Sequence, residues 1–161
     1  MLAAKRGLPQ NLWIVEDVDP ETGQKEDYIT DVGIMNLFVA IVGKDGQKEL
    51  ATPPLDGTIL EGVVRDCVLE LARERLAPEG WKISERKVSM RELVEASAEG
   101  RLLEVLGSCT AALVSPVRKI SYHGQMIQCG LPDNKEAGPI VNRMKDWIEG
   151  IQYGDEPHPW R

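Results

Sequence analysis

The sequence predicts a mixed α/β domain in which hairpins and helices are interspersed, and three observations support this fold class. Apolar runs typical of strands alternate with segments in which apolar residues recur at helical spacing. Asp45-Gly46 separates two strand-like runs, which is the strongest local hairpin signal in the chain. The 161 residues show no repeat and no low-complexity segment, so we expect a single domain over residues 1–161.

The first third of the chain is predicted to be mostly strand. Its strand-like runs share apolar, β-branched and aromatic residues: 11–15, 28–42 with a break at Gly33, and 49–52. The acidic stretch from Glu16 to Asp27 carries Pro and Gly and predicts a surface loop. Residues 37–42 are nearly continuously apolar, so this strand is expected to be buried on both faces.

Helices and further strands are predicted to alternate over the remainder. The predicted helices are 63–76, 89–100 and 139–149, and the predicted strands are 81–88, 102–106 and 111–117. Pro78-Glu79-Gly80 ends the first helix, and Ser89 with Glu92 has the spacing of a capping box. Residues 107–110 are predicted to form a loop between strands, and residues 122–125 a hairpin turn.

Composition excludes several classes of protein. Twenty-six acidic and 19 basic residues give a net charge of −7 and a pI near 4.9, which argues against a general nucleic-acid binder or a membrane-surface protein. No apolar run approaches the roughly 20 residues of a membrane-spanning helix, and the start is too quickly polar for a signal peptide. Three cysteines at no zinc spacing and only two histidines predict no metal site and a reduced, cytoplasmic setting.

Four segments share their order and spacing with one enzyme family across essentially the whole chain. They are the strings Ile29–Phe38, Thr52–Arg65, Gly107–Ala112, and Ile151–Gly154 with His158-Pro159-Trp160. These strings resemble the branched-chain amino-acid aminotransferases, the class IV (fold type IV) enzymes that use pyridoxal phosphate, and the ending is similar to fungal members. The resemblance implies the α/β pseudo-barrel of the large C-terminal domain of these enzymes.

The resemblance also implies a cofactor site. Asp31 stands where the family has a glutamate that pairs with the pyridine nitrogen, and a carboxylate there keeps the ring protonated. Leu60 and Gly62-Val63-Val64 correspond to the phosphate cup, where free N–H groups at a helix start bind anions. Thr110 corresponds to a phosphate-binding threonine, and the backbone amides around Ala111 to groups that hold the substrate carboxylate.

The residues alone leave ordinary structural interpretations open. Gly62-Val63-Val64 could be a simple junction between a loop and a helix, and Asp31 could be a solvated surface carboxylate. Cys109 could be a nucleophile, but a structural, space-filling cysteine is the preferred interpretation because no histidine lies near it in the sequence. Lys5 is interpreted as a surface charge.

Several positions depart from the family pattern. Ile34 replaces a threonine that faces the cofactor ring, Glu61 replaces a proline beside the phosphate cup, and Cys109 replaces a glycine. A charge beside a bound phosphate repels it by roughly 1 to 4 kcal/mol, depending on the local dielectric. The segment that carries the family's cofactor-binding lysine, and the small N-terminal domain, have no counterpart in residues 1–161. We therefore expect no covalently bound cofactor.

Three hypotheses for function follow. The preferred one is a repurposed enzyme that works without pyridoxal phosphate, as a small-molecule lyase, isomerase, cyclase or hydrolase. Asp31, Glu61 and Cys109 are then its acid–base candidates, and Thr110 orients the substrate. The second is a fragment or subunit of a genuine aminotransferase whose site a partner chain completes. The third is a non-catalytic partner of an intact homologue or a metabolite. A domain without its small partner domain also predicts a homodimer or higher oligomer.

Overall fold

The computed structural model describes residues 7–160, so Lys5 lies outside the described residues. Within that range the strands are β1 (Leu12–Val18), β2 (Lys25–Val32), β3 (Met35–Val42), β4 (Lys48–Thr52), β5 (Lys82–Glu85), β6 (Leu102–Cys109), β7 (Leu113–Val117), β8 (Lys119–Tyr122) and β9 (Gln125–Gln128). The α-helices are α1 (Val63–Leu71), α2 (Met90–Ala98) and α3 (Pro139–Tyr153). A π-helical turn (Ala72–Leu76) and a 3-10 turn (Ala77–Glu79) extend α1. No helix in this range is long and apolar enough to cross a membrane.

Strand β3 is the centre of the main sheet. It pairs antiparallel with β2 at its first residues, with β4 along its second half, and with β6 along most of its length. Strand β1 extends the sheet beyond β2, β7 extends it beyond β6, and β5 joins β4 in parallel. Strands β8 and β9 form a separate hairpin. The mixed α/β fold predicted from the sequence is confirmed.

The sheet separates two hydrophobic cores. Residues of β3 contribute alternately to them: Leu37, Val39 and Ile41 pack toward α2 and the β8–β9 hairpin, whereas Phe38 and Ala40 pack toward α1 and α3. All five side chains are almost completely inaccessible to solvent. This double burial explains the continuous apolar run of 37–42 and confirms the prediction made from it.

The predicted loop from Glu16 to Asp27 is wrong for half of its length. Strand β1 continues to Val18 and β2 begins at Lys25, so only residues 19–24 form the turn. Polar side chains stand on both faces of this exposed ribbon, so the sequence lacks the alternation that indicates a strand. Its cross-strand contacts are ionic, as between Lys25 Nζ and a Glu16 carboxylate oxygen at 2.6 Å.

The predicted loop at residues 107–110 also needs correction. Strand β6 continues through Cys109 because its backbone pairs with β3 on one side and β7 on the other, which leaves residues 110–112 as the turn. The predicted strand 81–88 is shorter, as β5, and the predicted helix 139–149 continues to Tyr153, where Gly154 ends it at φ +87°. The hairpin turns at 44–47 and 122–125 are confirmed.

Helix α2 begins with half of the predicted capping box. The Ser89 hydroxyl accepts a hydrogen bond from the Glu92 backbone N–H at 3.0 Å. The Glu92 carboxylate does not return to Ser89; it accepts a hydrogen bond from the Arg86 guanidinium at 2.7 Å. The ion pair with Arg86 therefore replaces the second bond of the box.

Ser89→Ala is expected to lower the free energy of unfolding by about 1 kcal/mol, because it leaves the first turn of α2 without its side-chain acceptor. Urea denaturation followed by circular dichroism measures the change. Ser121→Ala, at an exposed position of β8, is the control and should leave stability within about 0.5 kcal/mol. Equal effects of the two substitutions would contradict the assigned cap.

Glu104, on β6, has a buried carboxylate that lies against the first turn of α3. Its two carboxylate oxygens accept hydrogen bonds from the backbone N–H groups of Ile140 at 2.7 Å and Val141 at 3.2 Å. Burial raises the pKa of Glu104 above its ordinary value of 4.5, although the two N–H donors oppose this. The folded protein therefore binds the Glu104 proton more tightly than the unfolded chain does.

This raised pKa predicts how stability depends on pH. The contribution of Glu104 is fully present below its unfolded-state pKa and is lost as the pH rises through its folded-state pKa. Because Glu104→Gln cannot ionise, the native chain should lose stability relative to this variant as the pH rises. Urea denaturation of both proteins from about pH 4 to about pH 8 measures the difference. Glu136→Gln, at an exposed site, should give curves parallel to the native chain.

Candidate functional site

Three segments singled out in the sequence meet at one end of the sheet. Asp31 lies opposite Asn36 in the β2–β3 pair, and Asn36 lies opposite Ser108 in the β3–β6 pair. The loop before α1 reaches the same place, because the Asn36 side chain contacts the Leu60 carbonyl. The turn at residues 110–112 follows β6 at this end of the sheet. The structure thus brings together residues 31–36, 60–64 and 107–111.

Asn36 connects these segments, although sequence reasoning did not select it as a site residue. Its side chain is only 5 % exposed, and its Nδ2 donates hydrogen bonds to the Leu60 carbonyl at 2.7 Å and to Asp31 Oδ1 at 3.2 Å. The sequence shows that Asn36 lies between two candidate site segments. It does not show which groups Asn36 binds, since Leu60 is 24 residues away.

Asp31 is a half-buried carboxylate. Burial raises its pKa above the ordinary value of 3.8, and the Leu60 backbone N–H, the Asn36 side chain and the Arg65 cation act in the opposite direction. Burial therefore favours the protonated acid, whereas the donors and the Arg65 cation favour the ionised carboxylate. Such a group can hold a proton on a basic ligand atom.

Helix α1 begins at this site without a side-chain cap. Its N-cap residue is Gly62, and no side chain within residues 7–160 accepts hydrogen bonds from the first-turn N–H groups. Free N–H groups and the positive end of the helix dipole attract an anion at such a position. Three apolar side chains around the site are largely exposed: Ile34 at 82 %, Leu60 at 72 % and Val63 at 72 %. Val64, in contrast, is buried in the core.

The end of β6 contributes a buried hydroxyl. Ser108 is 2 % exposed and its Oγ has no hydrogen-bond partner among the described residues. Thr110 and Ala111 follow in the exposed turn, where their hydroxyl and backbone groups are accessible. Cys109 is partly buried and packs against the core that contains Leu37, which favours its space-filling interpretation. The site therefore offers donors at the turn and an unsatisfied polar group beneath it.

Two charged neighbours differ in their burial. Glu61 is exposed, so water screens its charge. Arg65 is completely buried; its Nη2 donates to the Pro53 carbonyl at 2.9 Å and to Glu85 Oε1 at 2.8 Å. Sequence reasoning missed this arginine, because its partners come from the segment before α1 and from β5. Through its bond to Glu85 on β5, Arg65 holds the start of α1 against the sheet.

Comparisons with known sequences all lead to one family. The profile of the family described as amino-transferase class IV matches residues 22–120. A mitochondrial branched-chain-amino-acid aminotransferase of Schizosaccharomyces pombe is 55 % identical over 159 residues, covering 98 % of this chain and 35 % of the relative. A cytosolic enzyme of the same description from Saccharomyces cerevisiae is 47 % identical, covering 97 % of this chain and 40 % of the relative.

Solved structures lead to the same family. A branched-chain amino acid aminotransferase from Escherichia coli matches with a TM-score of 0.67 and 27 % identity, over 98 % of this chain and 43 % of that chain. An enzyme of the same description from Thermobaculum terrenum, in its PLP form, matches with a TM-score of 0.67 and 25 % identity, over 96 % of this chain and 41 % of that chain. The chain belongs to the class IV amino-transferase family, which confirms the resemblance found in its sequence. It spans between about a third and two fifths of its curated relatives' length.

Proposed function

We propose that this chain is the cofactor-binding part of a branched-chain amino-acid aminotransferase, completed by polypeptide beyond these 161 residues. The observation that carries the proposal is the pair of hydrogen bonds from the Asn36 side chain to Asp31 and to the Leu60 carbonyl. These bonds hold the Asp31 carboxylate beside the uncapped start of α1. A carboxylate near an anion-binding helix terminus suits a ligand that carries a basic ring nitrogen and a phosphate. Pyridoxal phosphate is such a ligand.

The residues at the site fit this cofactor. The uncapped α1 terminus offers N–H groups to a phosphate, and the buried Ser108 Oγ has no partner among the described residues. The exposed side chains of Ile34, Leu60 and Val63 offer an apolar surface to an aromatic ring. These features are independent of the sequence resemblance, which supports the same assignment.

Each group of this chain has a definite role in the proposed site. When bound, pyridoxal phosphate supplies an electron-withdrawing ring that stabilises negative charge at the α-carbon of an amino acid. The Asp31 carboxylate holds a proton on the ring nitrogen. The N–H groups of Val63 and Val64, with the Thr110 hydroxyl, bind the phosphate. Backbone amides around Ala111 orient the substrate carboxylate.

The comparisons favour the aminotransferase fragment over the repurposed enzyme preferred from the sequence. The repurposing hypothesis rested on a missing lysine and on the departures at Ile34, Glu61 and Cys109. The lysine carries less weight, because this chain spans only 35 % of the Schizosaccharomyces pombe relative. Glu61 is also a weaker objection than its charge indicated, because its side chain is exposed and its repulsion of a phosphate is screened to about 1 kcal/mol or less. Ile34 is exposed, so its side chain is available to cover a ring.

Fragment complementation tests the proposal. The chain is mixed with the part of the Schizosaccharomyces pombe enzyme that precedes the matched region, and transfer of the amino group from leucine to a 2-oxo acid is measured. We expect activity only when both parts and pyridoxal phosphate are present. A complementing part whose own lysines are all arginine should give none. Catalytic turnover by this chain alone, with no cofactor added, would instead support the repurposed enzyme.

The chain alone is expected to form no covalent bond with the cofactor. Lysine is absent from residues 31–36, 60–64 and 107–111, so borohydride treatment in the presence of pyridoxal phosphate should leave no stoichiometric adduct. Peptide mass spectrometry measures the adduct. One lysine modified in full, with the modification lost in Thr110→Ala, would contradict this expectation.

Association is the second part of the proposal. Besides the apolar residues at the site, β1 exposes Trp13 and Val18 by more than half of their surfaces. Exposed apolar groups of this kind are usually covered by another polypeptide, and we propose a homodimer or higher oligomer. Light scattering that shows a stable monomer at micromolar concentration would contradict it. The cytoplasmic location stays a prediction, because the relatives include mitochondrial and cytosolic enzymes.

A further inference from the structure

Asn36 is in the centre of the site, where its side chain binds two of the segments that form it. The two Nδ2 hydrogens serve two acceptors on different segments, the Asp31 carboxylate on β2 and the Leu60 carbonyl before α1. The planar amide of Asn36 thus connects Asp31, the proposed partner of the ring nitrogen, to the loop before α1, the proposed phosphate site. Neither role was assigned to Asn36 from the sequence.

Gly62 has a complementary shape. A Cβ atom at Gly62 would lie 3.3 Å from Asn36 Cγ and well inside contact distance of Asn36 Oδ1. The φ angle of Gly62 is −85°, so backbone conformation does not require glycine there. Glycine is required because the Asn36 side chain approaches too closely to leave room for a Cβ atom. Gly62 therefore lets Asn36 pack directly against the N-cap of α1.

We infer that Asn36 is a positioning residue that fixes the Asp31 carboxylate relative to the anion-binding start of α1; its use in cofactor binding rests on the proposed function. The chemistry of the side chain supports this role. Aspartate has no N–H donors and would add a second negative charge beside Asp31. Serine has a single hydroxyl hydrogen, so it could serve only one of the two acceptors. Leucine would leave both acceptors without this donor.

The first test uses the 161-residue chain without cofactor, so it does not depend on the proposed function. The pH titration of the Asp31 carboxyl carbon is followed by NMR in the native chain and in Asn36→Ala. Loss of the Asn36 donor should raise the pKa of Asp31, since that donor favours the carboxylate. Faster hydrogen exchange is expected in the same variant at the Asp66 amide, which donates to the Gly62 carbonyl at the start of α1. Asn142→Ala, at an exposed site, is the matched control and should change neither measurement.

The second test measures ligand binding. We expect Asn36→Ala to weaken the binding of pyridoxal phosphate to the chain by about tenfold, as is typical for loss of a hydrogen bond to a charged group. Asn36→Ser keeps one donor, and we expect an intermediate loss. Should Asn36→Ala fail to fold, Asn36→Ser and Gly62→Ala provide the same comparisons, since Gly62→Ala displaces the Asn36 side chain.

The outcomes separate the two proposals. An altered Asp31 titration together with no binding of pyridoxal phosphate to the native chain or the complemented protein would support the role of Asn36 and count against the proposed function. An unchanged Asp31 titration and unchanged exchange at the Asp66 amide, in variants that fold, would overturn the inference about Asn36.

Discussion

Asp31→Asn is expected to lower transamination by the complemented chain by about 100-fold or more. The proposed site loses the carboxylate that would hold a proton on the ring nitrogen, and a positioned proton-holding group contributes roughly this much to a rate. Its shape changes little, because asparagine has nearly the same volume as aspartate. Initial rates with leucine and a 2-oxo acid, at saturating pyridoxal phosphate, measure the effect.

The control for this substitution is Asp133→Asn, whose side chain in the native protein is 91 % exposed and lies far from the site in sequence. Its rate should stay within about twofold of the native one. A loss of only a few-fold in Asp31→Asn, with folding intact, would remove Asp31 from the mechanism. Because burial raises the pKa of Asp31 above 3.8, activity of the native protein should also fall on the acidic side at a higher pH than for an exposed aspartate.

Gly130→Ala is expected to cause the largest loss of stability, about 3 kcal/mol or more. Gly130 has φ +78°, a conformation that costs an L-residue about 1–2 kcal/mol. Its Cβ would also lie 2.6 Å from the Leu103 carbonyl carbon and within clashing distance of the Leu102 and Leu103 carbonyl oxygens. These atoms belong to the backbone of β6, so they cannot rotate away, and overpacking adds about 1–3 kcal/mol.

Gly124→Ala separates the two contributions. Gly124 has almost the same φ, +75°, but an added Cβ would meet no atom of the described part of the chain within 4 Å. It should therefore lose only the conformational part, about 1–2 kcal/mol. Urea denaturation followed by circular dichroism measures both variants. Equal losses at the two glycines would show that the β6 backbone can yield, contrary to the clash described.

Local patterns in the sequence were enough to predict most elements of the sheet and the helices. Asp45-Gly46 identified a hairpin because its turn chemistry depends on adjacent residues, and the apolar run 37–42 indicated a doubly buried strand. The outer ends of β1 and β2, residues 16–18 and 25–27, escaped prediction, because Glu16 and Lys25 pair through charge across the strands and no hydrophobic period marks them. The end of β6 also escaped prediction, since pairing with β3 extends it through Ser108 and pairing with β7 extends it through Cys109.

The sequence by itself determined the fold class, the family, and the three segments at the candidate site. Those conclusions depend on residue order and spacing along the chain. Only the tertiary structure decided how the segments are joined, through Asn36 to Asp31 and Leu60, and how Arg65 fastens α1. Buried polar groups must find partners wherever the fold brings them, often from residues distant in sequence. No spacing rule encodes such partners, and their positions follow from packing two cores about one sheet.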